Sequence, residues 1–248
     1  AGALEKSLAT VSKNLDRQVS KGILSEPQKH TALGNIHTST DYASLANAQW
    51  VIEAATENLE LKRRVLQQIA ANVSEQCVIA SNTSSLSITE LAAGVNAPER
   101  FIGLHFFNPV PVMGLIEVIR GLQTSDTTHA QAIELAQYLG KTAITAGNRP
   151  GFVVNRILVP MINEAILVLQ EGLASAEDID AGMSLGCNQP IGPLALADLI
   201  GLDTLLAILE AFYEGFQDSK YRSAPLLREM VAAGYLGRKT GRGFHTYG

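Results

Sequence analysis

The sequence predicts an α/β domain built on a mostly parallel sheet, followed by a domain made only of helices. Two observations carry this. Up to Gly147, short apolar runs alternate with segments of helical period, the pattern of strands joined by crossover helices. Beyond the turn-rich stretch Gly147-Asn-Arg-Pro-Gly151, only helical segments remain. The chain therefore divides into residues 1–147 and 148–248. Its 248 residues are 46% hydrophobic and 17% charged, enough apolar surface for one large core or two smaller ones.

Each element follows from its local pattern. Leu4, Leu8, Val11, Leu15 and Val19 recur at spacings of three and four, which predicts an amphipathic helix. A short helical piece follows Pro27, and residues 35–38 read as a strand. Residues 50–54 form a compact apolar strand, and 59–72 a helix. Residues 77–81 and 101–107 are further apolar strands, and 115–119 is a strand leading to a helix over 128–139. In the second domain, 152–170 is a long apolar segment, as expected of an interior or interface helix. Ser175 with Asp178 forms a capping-box-like start to the next helix; Gly192-Pro193 opens another, and Asp203 caps a further one. Neither an internal repeat nor a low-complexity tract is present.

Composition excludes several classes of partner. A formal net charge of −5 offers nothing global to nucleic acid or to an anionic membrane, so an anionic ligand needs a local basic patch. Cys77 and Cys187 fit neither a disulfide scaffold nor a metal motif; a reducing compartment is expected, hence a cytoplasmic protein without a bound metal. Membrane spanning is not expected either, for want of an apolar run of roughly 18 residues.

A dinucleotide-binding α/β domain carries G-x-G-x-x-G after its first strand, so that backbone N–H groups can approach the pyrophosphate. That motif does not occur. Gly237-Arg-Lys-Thr-Gly241-Arg-Gly243 is glycine-rich but has no helix after it, and Gly140-Lys141-Thr142 has Leu135 where a phosphate loop needs its first glycine. Both read as turns.

Three stretches say more. Ala80-Ser-Asn-Thr-Ser-Ser-Leu86, Gly103-Leu-His-Phe-Phe-Asn-Pro-Val-Pro-Val-Met113 with Glu117, and Pro150-Gly-Phe-Val-Val-Asn-Arg156 closely resemble the 3-hydroxyacyl-CoA dehydrogenase family. The resemblance continues through Glu177-Asp-Ile-Asp180, Gly192-Pro-Leu194, Gly201-Leu-Asp203 and Leu236-Gly-Arg-Lys-Thr-Gly-Arg-Gly-Phe244, and so covers essentially the whole chain. Short bacterial members, of the 3-hydroxybutyryl-CoA type, are nearest in length. It implies a Rossmann-like doubly wound sheet lacking its first strand–helix–strand unit, followed by a helical substrate and dimerisation domain. In such a sheet the first strand is central, and its loss would leave buried backbone groups unpaired at roughly 1–3 kcal/mol each; the native polypeptide is expected to be longer.

The resemblance also implies a chemistry: reversible oxidation of (S)-3-hydroxyacyl-CoA to the 3-oxo product, with NAD as cofactor and a homodimer as the assembly. On residues alone His105 reads as a satisfied core histidine. The resemblance makes it the general acid/base, with Glu117 holding its tautomer and stabilising the imidazolium. Ser84 and Asn155 then position the oxygen on C3, the bland alternatives being a polar turn and a first-turn capper. Ser85 is better read as part of that turn. Ala54, Glu57, Lys62, Asn82, Ser84, Asn108 and Lys239 carry over as cofactor contacts, with a solvated-loop alternative for Lys62 and Lys239. Lys13, Arg17 and Lys21 share one helix face, which on spacing alone reads as a solvated stripe. By resemblance this helix touches the CoA part through Ser7, and Lys13 replaces a lysine contact at a place where this sequence has Asn14. A non-catalytic, crystallin-like member of the same fold is the rival from another class. A β-hydroxyacid dehydrogenase acting on free acids is a third, but it needs a catalytic lysine that 150–156 does not hold.

Overall fold

A computed structural model describes residues 2–248. Its first half is a five-stranded sheet in the order of the chain: β1 Trp50–Glu53, β2 Val78–Ser81, β3 Phe101–Phe106, β4 Leu115–Arg120 and β5 Thr142–Gly147. Strands β1, β2 and β3 run parallel, β4 is antiparallel to β3, and β5 is parallel to β4. The reversal at β4 departs from simple alternation for a steric reason. The connection 107–114 is too short for a parallel crossover, which needs a dozen or more residues.

Helices cover both faces. The helix α3 (Leu59–Asn72) and the single-turn α4 (Ile88–Ala92) bury Leu66, Ile69, Ile88 and Leu91 against Ile79, Phe101 and Ile119. On the opposite face α5 (Asp126–Tyr138) packs Ala132 and Ala136 onto Val78, Ala80, Ile102, Leu104, Ile116 and Val118. Successive strand residues alternate between the two clusters, as the period of two requires. That alternation places Phe101, Gly103 and His105 together on the α4 side. Ahead of the sheet, α1 (Gly2–Ser20) packs against α2 (Glu26–Gly34), which Ser25 and Gln28 start with a reciprocal capping box. The five apolar residues predicted to line α1 are half-buried, as are Ser12, Asn14 and Gln18, while its basic side chains are exposed.

Two local expectations are corrected, and one strand is added. Residues 35–38 form no strand: Asn35 terminates α2, and Ile36 is the lone apolar residue of an exposed segment with no face to bury. Residues 142–147, unassigned on sequence, form β5, with Gly140 and Lys141 as the turn before it. Asp203 is not a cap; Gly201 precedes the helix, and Asp203 lies in its first turn, paired with Lys239.

The second half consists of α6 (Val154–Gln170), α7 (Ala176–Gly186), α8 (Pro193–Ile200), α9 (Leu202–Phe216) and α10 (Pro225–Ala232) around one core that includes Ile162, Ile166, Leu194, Leu205, Leu209 and Phe212. Two carboxylates tie it together. Asp180 of α7 accepts from the backbone N–H groups of Leu194 and Ala195, supplying the cap that α8 lacks at Gly192. Asp198 of α8 accepts from the N–H groups of Phe244 and His245 and from the Tyr247 hydroxyl, fastening the C-terminal segment. The Tyr247 hydroxyl is pushed above its ordinary pKa by burial and by this bond. Among the described residues no helix is long and apolar enough to cross a membrane.

Gly151 begins the passage into α6 with φ at +76°, and a Cβ there would lie 2.2 Å from Cζ of Phe212. Gly151→Ala is therefore expected to destabilise the protein by about 2–4 kcal/mol through a strained backbone and an overpacked core. The midpoint of urea denaturation measures this, and an unchanged midpoint would show that the passage can reroute.

Candidate active site

The site is assembled where β3 meets β4. His105 and Glu117 are direct partners in the antiparallel register, so their side chains lie side by side on the α4 face. The His105 Nδ1 lies 2.7 Å from Glu117 Oε2. His105 is 5% exposed and Glu117 not at all, with Phe107 and Phe152 flanking the imidazole at ring separations of 4.7 and 5.6 Å. With a carboxylate on Nδ1, the bonding pattern assigns the proton to that nitrogen and leaves the Nε2 lone pair open. Among the described residues Nε2 has no hydrogen-bond partner.

The second oxygen of Glu117 is equally committed. Oε1 accepts from the backbone N–H groups of Val153 and Val154, at 2.9 and 3.0 Å. Those groups begin α6, which has no side-chain cap of its own. A carboxylate from the sheet thus caps the first helix of the helical half and meets the positive end of its dipole. Burial alone would raise the Glu117 pKa; the bond to His105 and the two N–H donors outweigh it and hold the group below its ordinary value. Asn155 follows directly, half-buried in the first turn of α6, with no hydrogen bond from its amide among the described residues. It is not the capper, because Glu117 fills that place.

The carboxyl ends of β1, β2 and β3 lie along one edge, where open α/β sheets bind their ligands. The loops there are locked to one another. Glu57 accepts from the Thr83 hydroxyl at 2.7 Å and from the Ser84 N–H at 2.8 Å. Asn82 Oδ1 accepts from the Phe106 N–H at 2.9 Å, joining the end of β2 to the end of β3. The Ser84 side chain is half-buried, and its hydroxyl has no partner among the described residues; Ser85 gives its N–H to Thr83, in keeping with a turn. Ala54 and Asn108 are exposed at the ends of β1 and β3. Neutral amides and a free hydroxyl beside an imidazole fit the nicotinamide end of a dinucleotide, which is uncharged in its carboxamide and planar in its ring.

Other predicted residues stand apart. Lys62 is neither on a loop nor solvated: it is buried in α3, its ammonium paired with Glu53, which also accepts from the Ser81 hydroxyl and the Ala55 N–H. Its ammonium therefore acts on the edge by fixing the end of β1. Lys239 pairs with Asp203 within the helical half, and Ser7 and Lys13 are exposed on α1, which packs against α2. Sequence reasoning missed Thr83, whose hydroxyl organises the loop after β2, and the Val153 and Val154 N–H groups. Side-chain patterns carry no signal for a backbone donor; Thr83 was visible only as one polar residue in a polar run.

Two family models match the chain. The 3-hydroxyacyl-CoA dehydrogenase NAD-binding domain covers residues 1–149, and the C-terminal domain of the same family covers residues 151–247. A 3-hydroxybutyryl-CoA dehydrogenase of Bradyrhizobium diazoefficiens is 50% identical over 100% of this chain and 84% of its own length. One described as probable, from Bacillus subtilis, is 49% identical over 99% of this chain and 85% of its own. Among solved structures, (S)-3-hydroxybutyryl-CoA dehydrogenase from Ralstonia eutropha superposes with a TM-score of 0.98 at 62% identity, over 100% of this chain and 88% of that one.

The lowered pKa of Glu117 has a sign. A carboxylate more acidic in the folded state contributes stability that is complete above its ordinary value of 4.5 and is lost as pH falls through the lower folded value. Glu117→Gln should remove this contribution, because one amide oxygen cannot serve both His105 and the start of α6. Denaturation at neutral pH should find the variant less stable, with the gap closing in a descending series below pH 4.5. A gap that does not change with pH would mean that Glu117 is not ionised in the folded protein.

Proposed function

The chain belongs to the 3-hydroxyacyl-CoA dehydrogenase family, and on that premise we propose that His105, Glu117, Ser84 and Asn155 are the residues that carry out its reaction. The activity is the reversible NAD-dependent oxidation of (S)-3-hydroxyacyl-CoA to 3-oxoacyl-CoA. Bound NAD supplies the nicotinamide that accepts hydride from C3. Everything else falls to the chain. The open Nε2 of His105 takes the proton of the C3 hydroxyl, and the imidazolium so formed is stabilised by the Glu117 carboxylate, which stays ionised. In the reverse direction His105 returns that proton to the new alkoxide. The Ser84 hydroxyl and the Asn155 amide, both without partners among the described residues, hold the C3 oxygen as it passes between hydroxyl and carbonyl. Ser84 comes from the loop after β2 and Asn155 from α6, so their convergence depends on Glu117 keeping α6 docked.

The observation that supports this most is the dyad itself. A buried imidazole with one nitrogen anchored to a carboxylate and the other free is costly in a purely structural protein. That disfavours the crystallin-like alternative. Asn82, Asn108 and Ala54 would face the cofactor, with Glu57 and Lys62 holding the edge, while Ser7 and Lys13 on α1 would meet the CoA part. A cytoplasmic homodimer belongs to the same proposal. Val153, Ile157 and Leu196, which line an apolar surface groove of about 450 Å³ on the helical half, support an apolar contact there.

The test is NADH oxidation with acetoacetyl-CoA by the native protein and by His105→Ala. Turnover by the former and a fall in kcat of at least ~10²-fold in the latter are expected, the scale for losing a positioned acid/base. No turnover by the native protein would favour the structural alternative; full activity in the variant would remove His105 from the mechanism.

A further inference from the structure

The Gly140-Lys141-Thr142 stretch resembles the end of a phosphate loop, but its lysine is already engaged. The Lys141 Nζ donates to the carbonyl oxygens of Val110 and Met113, both at 2.7 Å. These carbonyls belong to the connection between β3 and β4, and Lys141 sits just before β5, 28 to 31 residues further along the chain. An ammonium bridging two carbonyls makes two charge-assisted bonds where a neutral donor would make weaker ones.

The connection so held is no ordinary loop. It leaves β3 directly after His105 and Phe106 and carries Asn108. It then folds back on itself through bonds from the Val112 and Met113 N–H groups to the Pro109 carbonyl, and enters β4 two residues before Glu117. Val110, Val112 and Met113 are 43%, 75% and 40% exposed, so the loop has almost no core of its own to order it. The fixed points are its two strands, the Thr142 N–H on the Gly114 carbonyl, and Lys141. Without the ammonium, the tip would keep only its internal turn bonds.

We propose that Lys141 is a positioning residue for the reaction, holding the β3–β4 loop so that Asn108 is presented at the cofactor edge beside His105. The inference rests on the assignment of Asn108 to that edge in the proposed function. Lys141 touches neither substrate nor cofactor; it acts through the two carbonyls. Arginine keeps both the charge and the donors, whereas methionine keeps the aliphatic stem and loses both.

The experiment compares the native protein with Lys141→Met and Lys141→Arg. Amide hydrogen exchange at Val112 and Met113 reads loop order directly. In the methionine variant it should speed up by about tenfold or more, with exchange in β3 and β4 unchanged. The KM for NADH should rise by a similar factor while kcat falls much less, and arginine should restore most of both. Unchanged exchange in the methionine variant would overturn the clamp. Faster exchange with an unaltered KM for NADH would overturn the link to Asn108. Failure of the native protein to turn over is a separate result, which removes the proposed function beneath the inference.

Discussion

The Glu117 carboxylate is the point on which the rest of the structure turns. One oxygen fixes the imidazole of His105 and the other receives the first two N–H groups of α6, from a position with no exposure to solvent. A carboxylate moved from water to a protein interior loses several kcal/mol of hydration, so it is tolerated only where its oxygens are well satisfied. Here the three donors come from two separate parts of the fold. The antiparallel register of β3 and β4 brings one, and the docking of the helical half brings the other two. The acid that anchors the histidine is therefore also the joint between the two halves. Neither role can be changed without disturbing the other.

The same device recurs where no chemistry is involved. Asp180 caps α8, Asp198 holds the C-terminal segment, and Glu57 pins the loop after β2, each by accepting from at least one backbone N–H. The segments that carry the family resemblance in the helical half are thereby explained as architecture. Glu177-Asp-Ile-Asp180 meets Gly192-Pro-Leu194 through one carboxylate. Gly243 lies so close to Asp198 that a Cβ would stand 1.8 Å from its Oδ1. His245 bonds to Asp180 as well, so the two carboxylate clusters form one network under the end of the chain. An acidic residue within a stretch that carries the resemblance need not be catalytic.

Periodicity was enough to read most of the fold, because burial dictates it. The apolar runs at Trp50, Val78 and Phe101 are strands, the three-and-four spacing of the first segment is a helix, and Ser175 starts α7 as its capping pattern implies. What escaped depended on tertiary partners. The strand β5 is built of small residues with little apolar contrast, and is ordered by pairing with β4. Residues 35–38 have strand-like character but pair with no strand among the described residues. At the site, residue types and spacing could nominate His105 and Glu117 only with the help of a family resemblance, since nothing in the sequence says that they face each other. The roles of Lys62 and Lys141 were illegible for a related reason. A lysine looks the same in sequence whether it is solvated, paired with a buried carboxylate, or bridging two carbonyls.

Remaining hydrogen-bond capacity separates architecture from chemistry more sharply than charge does. Both oxygens of Glu57 and of Glu117 are occupied, the Lys62 ammonium is enclosed by Glu53, and the Asn82 carbonyl serves Phe106. These groups have little left to offer a ligand beyond the Asn82 amide N–H. Among the described residues assigned to the site, the groups with unused capacity are the His105 Nε2, the Ser84 hydroxyl, the Asn155 and Asn108 amides and the Asn82 donor. None carries a fixed charge. In the proposed reaction, such a site would leave substrate and cofactor charges to be met elsewhere and offer the reacting carbon groups that can exchange or steer a single proton. Glu117, with both oxygens occupied behind the imidazole, would act on the proposed reaction only through His105.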